Sequence, residues 1–228
     1  MTVRGVLFDL GDTLTRPIGG RWNPRFDFEE IVRRHHPDVD PAGVDVAVAA
    51  GQAFLDAAVD ATPARADYHR VVLSALGVED PTVDLLAELD RPLEVPPIEP
   101  FPEVAGSLAA LRSSGVRLAV VTDNWGTASS IGALVDAIGL GRFEAIAVSS
   151  EVGANKPDPR MYRTASDGLA LRPQECLVVD DDPALVAAAI GLGYRGAAVD
   201  RAGVIAAGRV RTIASIDDVL DLVHDPDR

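Results

Sequence analysis

Three short, mainly apolar runs most constrain the fold: Val3–Phe8 (VRGVLF), Val116–Thr122 (VRLAVVT) and Leu177–Asp180 (LVVD). Runs of this length between turn residues fit strands buried on both faces. Helical spacings separate them. Val104, Leu108 and Leu111 recur at four and three before Gly115, a helix stop. Ile131, Leu134, Val135 and Ile138 mark a second helix face, Met161, Tyr162, Ala165 and Leu169 a third. Leu185, Val186, Ala189 and Ile190 mark a fourth. Ala145–Ser149 reads as a further strand, Gly196–Val199 and Val210–Ile213 as weaker ones, and Ile216–Val223 as a closing helix. Strands alternating with helices predict an α/β fold around a mostly parallel sheet, with Val3–Phe8 as a central strand.

The stretch between the first strand and the regular pattern differs in character. Residues 16–95 carry Phe, Trp and Tyr, three of the four histidines, and helical spacing, as in Val71, Val72, Ala75 and Leu76 before Gly77. This predicts a small all-helical insert, or cap, at 16–95, with residues 1–15 and 96–228 forming the α/β core. Arg91–Pro102 (RPLEVPPIEPFP) contains five prolines and reads as a stiff return linker.

Composition removes several classes of function. No run reaches the ~18–20 apolar residues of a membrane span. The stretch Val3–Leu10 ends in acid rather than at a small-residue cleavage site, so a cytoplasmic location is the expectation. Cys176 is the only cysteine, which excludes an internal disulfide and fits a buried apolar position. A formal charge of −14 opposes nucleic acid and anionic membrane surfaces as partners. A chain this negative needs a local cation to handle phosphate, and Lys156 is its only lysine.

Asp9, Thr122, Lys156 and the run Asp180-Asp181-Asp182 each lie at or just after the carboxyl end of an expected strand. Ligands of open parallel sheets bind at that edge. One Asp there is most often a turn or helix cap; four polar positions together point to chemistry. A carboxylate, a hydroxyl, an ammonium and an acidic cluster suit phosphoryl transfer. Clustered carboxylates raise one another's pKa unless a cation is present. Magnesium takes one or two carboxylates with water and phosphate oxygens. The ammonium and hydroxyl would hold the remaining phosphate oxygens.

These residues carry a resemblance. Phe8-Asp9-Leu10-Gly11-Asp12-Thr13-Leu14 resembles the first motif of the haloacid dehalogenase superfamily, and Val120-Val121-Thr122-Asp123-Asn124 its second. Val152-Gly153-Ala154-Asn155-Lys156-Pro157-Asp158-Pro159 is similar to the third, and Leu177-Val178-Val179-Asp180-Asp181-Asp182-Pro183 to the fourth. The insert after the first motif resembles subfamily I, with a helical C1-type cap on a Rossmann-like core. The resemblance implies a magnesium-dependent hydrolase of small phosphorylated metabolites. It implies Asp9 as nucleophile, forming an aspartyl-phosphate that water hydrolyses. Asp9, the Gly11 carbonyl and Asp181 would hold Mg2+. Thr122, the Asp123 amide and Lys156 would bind phosphate, with Thr122 and Lys156 also serving catalysis. The chain would act as a monomer or homodimer.

Two positions depart from the family pattern. Its phosphatases usually carry a second Asp, the general acid and base, two residues after the nucleophile; here that position is Gly11 and the acid is Asp12. Four residues after the metal ligand, where Asp or Asn often stands, the chain has Leu185, which reads as helix packing. Family dehalogenases also lack the second acid but do not usually need metal, so a 2-haloacid dehalogenase is the leading alternative. A degenerate, non-catalytic binding protein is another. A phosphonatase is disfavoured by a cap without lysine, and a receiver domain by an acidic pair that comes last in the chain. In the cap region, Arg16, Arg21, Trp22, Asn23, Arg65, Tyr68 and His69 are candidates for choosing the substrate, against the plainer reading of surface residues. His35-His36 precedes Pro37 in an expected loop without zinc spacing and receives no role.

Overall fold

The computed structural model describes residues 2–58, 60–91, 93, 96–206, 208 and 210–224. It divides into two compact units, Met1–Arg16 with Glu99–Arg228, and Pro17–Ile98.

The first unit is built on a sheet of six parallel strands. β1 is Gly5–Phe8; β2, Thr15–Pro17, and β3, Ile98–Pro100, form a separate two-stranded sheet. The main sheet continues with β4 Arg117–Thr122, β5 Ala145–Val148, β6 Cys176–Asp180, β7 Arg195–Val199 and β8 Arg211–Ile213, in the order β5-β4-β1-β6-β7-β8. All neighbours run parallel. Every residue of β1 and β6 is buried, including the carboxylate of Asp180 that closes β6 after the apolar run Cys176–Val179. Each buried Leu, Val or Phe side chain contributes roughly 1.5–3 kcal/mol.

Strand alternation sends Leu7, Ala119, Val121, Cys176 and Val178 to one face. There they pack with Met161, Tyr162 and Ala165 of one helix, with Leu169 at its C-terminal end, and with Ala189 of another. Val6, Phe8, Leu118, Val120, Leu177 and Val179 point the other way and are buried as well. The Rossmann-like α/β core with a parallel sheet flanked by helices, expected from the sequence, is the observed fold.

The second unit is helical: α1 Phe28–His35, α2 Val44–Asp56, α3 Arg65–Ala75 and α4 Val83–Leu89. α2 and α3 approach closely because Gly51 has no side chain. A Cβ there would lie 2.5 Å from Val72 Cγ2 and 2.7 Å from Tyr68 Cε2. Arg25 donates to the carbonyls of Glu88, Leu89 and Arg91, the last at 2.7 Å, and so satisfies the open C-terminal end of α4.

The remaining helices belong to the first unit: α5 Val104–Ser113, α6 Ala128–Ala137, α7 Ser149–Val152, α8 Pro159–Gly168, α9 Pro183–Gly191 and α10 Val219–His224. α8 supplies Met161, Tyr162 and Ala165 to the core, with Leu169 at its C-cap, and α9 supplies Ala189.

Three expectations change. Part of the proline-rich linker is the strand β3, because Ile98–Pro100 pairs with β2; Pro92, Glu94 and Val95 lie outside the described residues. His35 is not in a loop but ends α1, where its Nε2 lies 2.7 Å from Glu88 Oε2. Tyr68 and His69 are not surface residues: both lie on the inward side of α3 and are buried.

Candidate active site

The parallel register brings the expected residues to one sheet edge. Phe8 is level with Val120 on one side and with Val179 on the other. The next residue, Asp9, therefore stands beside Asp180, and its backbone N–H donates to Val179 O at 2.9 Å. Thr122 closes β4 and is buried.

Lys156 arrives from a loop rather than a strand end. α7 ends at Gly153, which takes the left-handed conformation (φ 70°) that turns the chain back toward the sheet. The Lys156 backbone N–H then donates to Asp123 Oδ1 at 3.1 Å, and Asp158 caps α8 by accepting from Arg160 N–H. Held at both ends, the loop directs the ammonium inward. Lys156 Nζ donates to Asp9 Oδ1 at 2.6 Å and to Asp180 Oδ2 at 2.8 Å. The side chain of Lys156 is only 5% exposed.

The three consecutive aspartates have separate surroundings. Asp180 accepts from Lys156 and, through its other oxygen, from the Asp182 N–H. Asp181 accepts from the Thr13 hydroxyl at 3.3 Å. Asp182 is the N-cap of α9, accepting from Ala184 N–H at 2.7 Å, with Pro183 opening the helix. The acidic triplet is therefore a pair plus a cap. Asp9, Asp180 and Asp181 each offer an oxygen within 4.8 Å of the others.

The electrostatics follow from burial. Burial raises the Asp9 carboxyl above the usual carboxylate range; Lys156 opposes the rise, while Asp180 and Asp181 add to it. Burial also pushes Asp181 up to about 6, with Asp180 and Asp12 contributing repulsion. Burial alone would lower Lys156, but Asp9, Asp180 and Asp123 hold its ammonium well above the ordinary lysine value. One ammonium thus faces three crowded carboxylates. An oxygen-only donor set short of positive charge suits a hard divalent cation.

The loop after β1 sets the rest. Asp12, not its glycine neighbour, takes the left-handed conformation (φ 53°). It is exposed, whereas Thr13 is fully buried. The Gly11 carbonyl accepts from the Thr13 N–H. Sequence reasoning brought Asp9, Thr122, Asp123, Lys156 and Asp181 to one edge but gave Thr13 no role, and it left Asp180 undecided. A buried hydroxyl has no periodicity to betray it.

Arg16 pairs with Glu99 at 2.8 Å, and Arg21 with Glu29 at 2.7 Å. Trp22 is exposed. Asn23 and Arg65 are half-buried. Among the described residues, no helix is long and apolar enough to cross a membrane.

A family model described as haloacid dehalogenase-like hydrolase matches residues 3–193. Phosphatase MT3486 of Mycobacterium tuberculosis (strain CDC 1551 / Oshkosh) is 32% identical over 122 residues, 53% of this chain and 56% of that protein. Haloacetate dehalogenase H-2 of Moraxella sp. (strain B) is 33% identical over 107 residues, 46% of this chain and 47% of that protein. The chain thus spans about half the length of these curated relatives. Among solved structures, the defluorinating L-2-haloacid dehalogenase Rha0230 superposes with a TM-score of 0.71 at 22% identity, covering 97% of this chain and 95% of that one, which shows a shared fold. With a matching family model over most of its length, the chain belongs to the haloacid dehalogenase-like hydrolases.

Proposed function

We propose that this hydrolase removes phosphate from small phosphorylated metabolites, with magnesium as cofactor and Asp9 as nucleophile. The observation that carries the reading is the cluster of Asp9, Asp180 and Asp181 within 4.8 Å of one another beside a single ammonium. Without a further cation such a cluster carries uncompensated repulsion. Asp9, the Gly11 carbonyl and Asp181 would hold magnesium, and Asp180 is held back by Lys156 and the Asp182 N–H. When bound, the ion supplies positive charge that lets anionic Asp9 meet an anionic phosphate.

The protein groups then act as follows. An Asp9 oxygen attacks phosphorus, the bond from phosphorus to the leaving oxygen breaks, and an aspartyl-phosphate forms. Lys156, Thr122 and the Asp123 amide hold the equatorial oxygens and the charge that moves onto them. With Gly11 carrying no acid, the leaving oxygen takes its proton from solvent. Water then attacks phosphorus and releases phosphate and free Asp9. In this reading residues 1–15 and 96–228 are the catalytic core, and 16–95 form the cap that chooses the substrate. The enzyme works in the cytoplasm as a monomer or homodimer, without nucleic acid or membrane.

A second reading, a 2-haloacid dehalogenase using the same Asp9, is favoured by Gly11, since halide leaves without a proton, and by the similarity to haloacetate dehalogenase H-2. The crowded carboxylates favour phosphate. The test is release of phosphate from a panel of phosphorylated metabolites, with and without magnesium, beside halide release from 2-haloacids. Phosphate release that requires magnesium and is lost in Asp9→Asn supports the proposal. Halide release without metal, and no phosphate release, replaces it with the second reading.

A further inference from the structure

We infer that Arg201 is a positioning residue for Asp181, acting through Thr13; the inference rests on the reading of Asp181 as a metal ligand. Arg201 lies in the turn after β7, distant in sequence from every motif residue. Its Nη2 donates to the backbone carbonyl of Thr13 at 2.7 Å. Its Nη1 donates to the Glu103 carboxylate. The guanidinium carbon stands 3.9 Å from the centre of the Phe101 ring, a stacking distance. Its Nε is buried and has no hydrogen-bond partner among the described residues. The side chain is therefore oriented by ring, carboxylate and carbonyl at the expense of one of its own donors.

Thr13 is the link to the site. It lies in the loop that follows Asp9, is fully buried, and donates from its hydroxyl to Asp181 Oδ1 at 3.3 Å. That bond is already longer than the usual range of about 2.5–3.0 Å. A small retreat of the Thr13 backbone breaks it and loosens the hold on the Asp181 carboxylate. Arg201 grips the Thr13 carbonyl and so opposes this retreat. A lysine could reach the carbonyl but could not also fork to Glu103 and stack on Phe101. Groups that orient a metal-binding carboxylate typically change metal affinity by about 10–100-fold when removed.

The experiment measures binding of magnesium alone, by calorimetry on the full chain, with thermal unfolding recorded in parallel. Wild type, Arg201→Met, Arg201→Lys, Thr13→Val and the Arg201→Met/Thr13→Val double variant are compared. The expected result is roughly a 10-fold or greater loss of magnesium affinity in Arg201→Met and in Thr13→Val. The double variant should be no worse than the weaker single, and Arg201→Lys should recover part of the loss. A lower unfolding temperature with wild-type magnesium affinity in Arg201→Met means a purely structural role and overturns the inference. Should Arg201→Met fail to fold, Glu103→Gln and Thr13→Val carry the test: weakened binding in both supports it, and wild-type binding in both overturns it. A wild-type chain that binds no magnesium overturns the metal reading and this inference with it, whereas wild-type binding with unaffected variants overturns the inference alone.

Discussion

The Lys156 ammonium and the Asp9 carboxylate stand 2.6 Å apart, although 147 positions separate them in the chain, and both side chains are less than a tenth exposed. The same ammonium reaches Asp180 at 2.8 Å. A buried cation between two buried carboxylates cannot be removed quietly, because the acids are left facing each other in a medium of low polarity.

Lys156→Met is therefore expected to lower phosphatase kcat by roughly 10²–10³-fold and stability by about 3 kcal/mol. Steady-state kinetics and urea unfolding check both. Activity within threefold of wild type contradicts the assignment of Lys156 to the reacting phosphoryl group.

Asp12 occupies a left-handed position (φ 53°) that suits glycine, while Gly11 stands at the position where the family's phosphatases usually carry a second Asp. Exchanging the two, Gly11→Asp with Asp12→Gly, is expected to stabilise the chain by about 1 kcal/mol. The exchange also restores a proton donor, so kcat for phosphate esters of poor leaving groups should rise by at least about 10-fold, since general acids contribute roughly 10²–10⁴. Kinetics with good and poor leaving groups test this, and equal rates before and after the exchange for both count against it.

Much of this site was legible in the sequence because its residues end apolar runs. Val3–Phe8, Val116–Thr122 and Leu177–Asp180 announce strands, and parallel pairing must bring their ends together. Less legible were side chains whose role comes from contacts across the fold. The Thr13 bond to Asp181 and the Arg201 grip on Thr13 join residues 168 and 188 positions apart. The capping role of Asp182 was readable from the Asp-Pro pair, yet the acidic run drew attention to charge instead. The short strands β2 and β3 were hidden by prolines, which sequence patterns assign to linkers.

His69 gives the helical unit a pH signature. Burial lowers its pKa to about 4, with attraction from Asp90 opposing and Arg65 and Arg25 reinforcing the shift. The folded value lies below the unfolded value of ~6.5, so between these two the unfolded chain binds the extra proton. Stability contributed by neutral His69 is complete above ~6.5 and is lost as pH falls toward 4, by about 3 kcal/mol in all. Urea unfolding at stepped pH should show a smaller decline over that window in His69→Gln than in wild type. Parallel curves count against a buried neutral His69.

Gly51 sets the approach of α2 to α3. A methyl group there would meet Val72 Cγ2 at 2.5 Å and the Tyr68 ring at 2.7 Å. Gly51→Ala is expected to destabilise by about 1–3 kcal/mol through overpacking, despite alanine's better helix propensity. Gly106→Ala, in α5 with nothing within 4 Å of the added carbon, is expected to be neutral or stabilising. Denaturant midpoints of the pair decide the point, and a stabilised Gly51→Ala contradicts the close approach.

The central claim is that Asp9 takes up the phosphoryl group. The most direct measurement is mass spectrometry of the chain acid-quenched during turnover of its best phosphorylated substrate with magnesium. The added mass of one phosphoryl group is expected on the peptide containing Asp9, and none in Asp9→Asn. Turnover with no phosphoryl group on that peptide at any quench time, or retained turnover in Asp9→Asn, would contradict it.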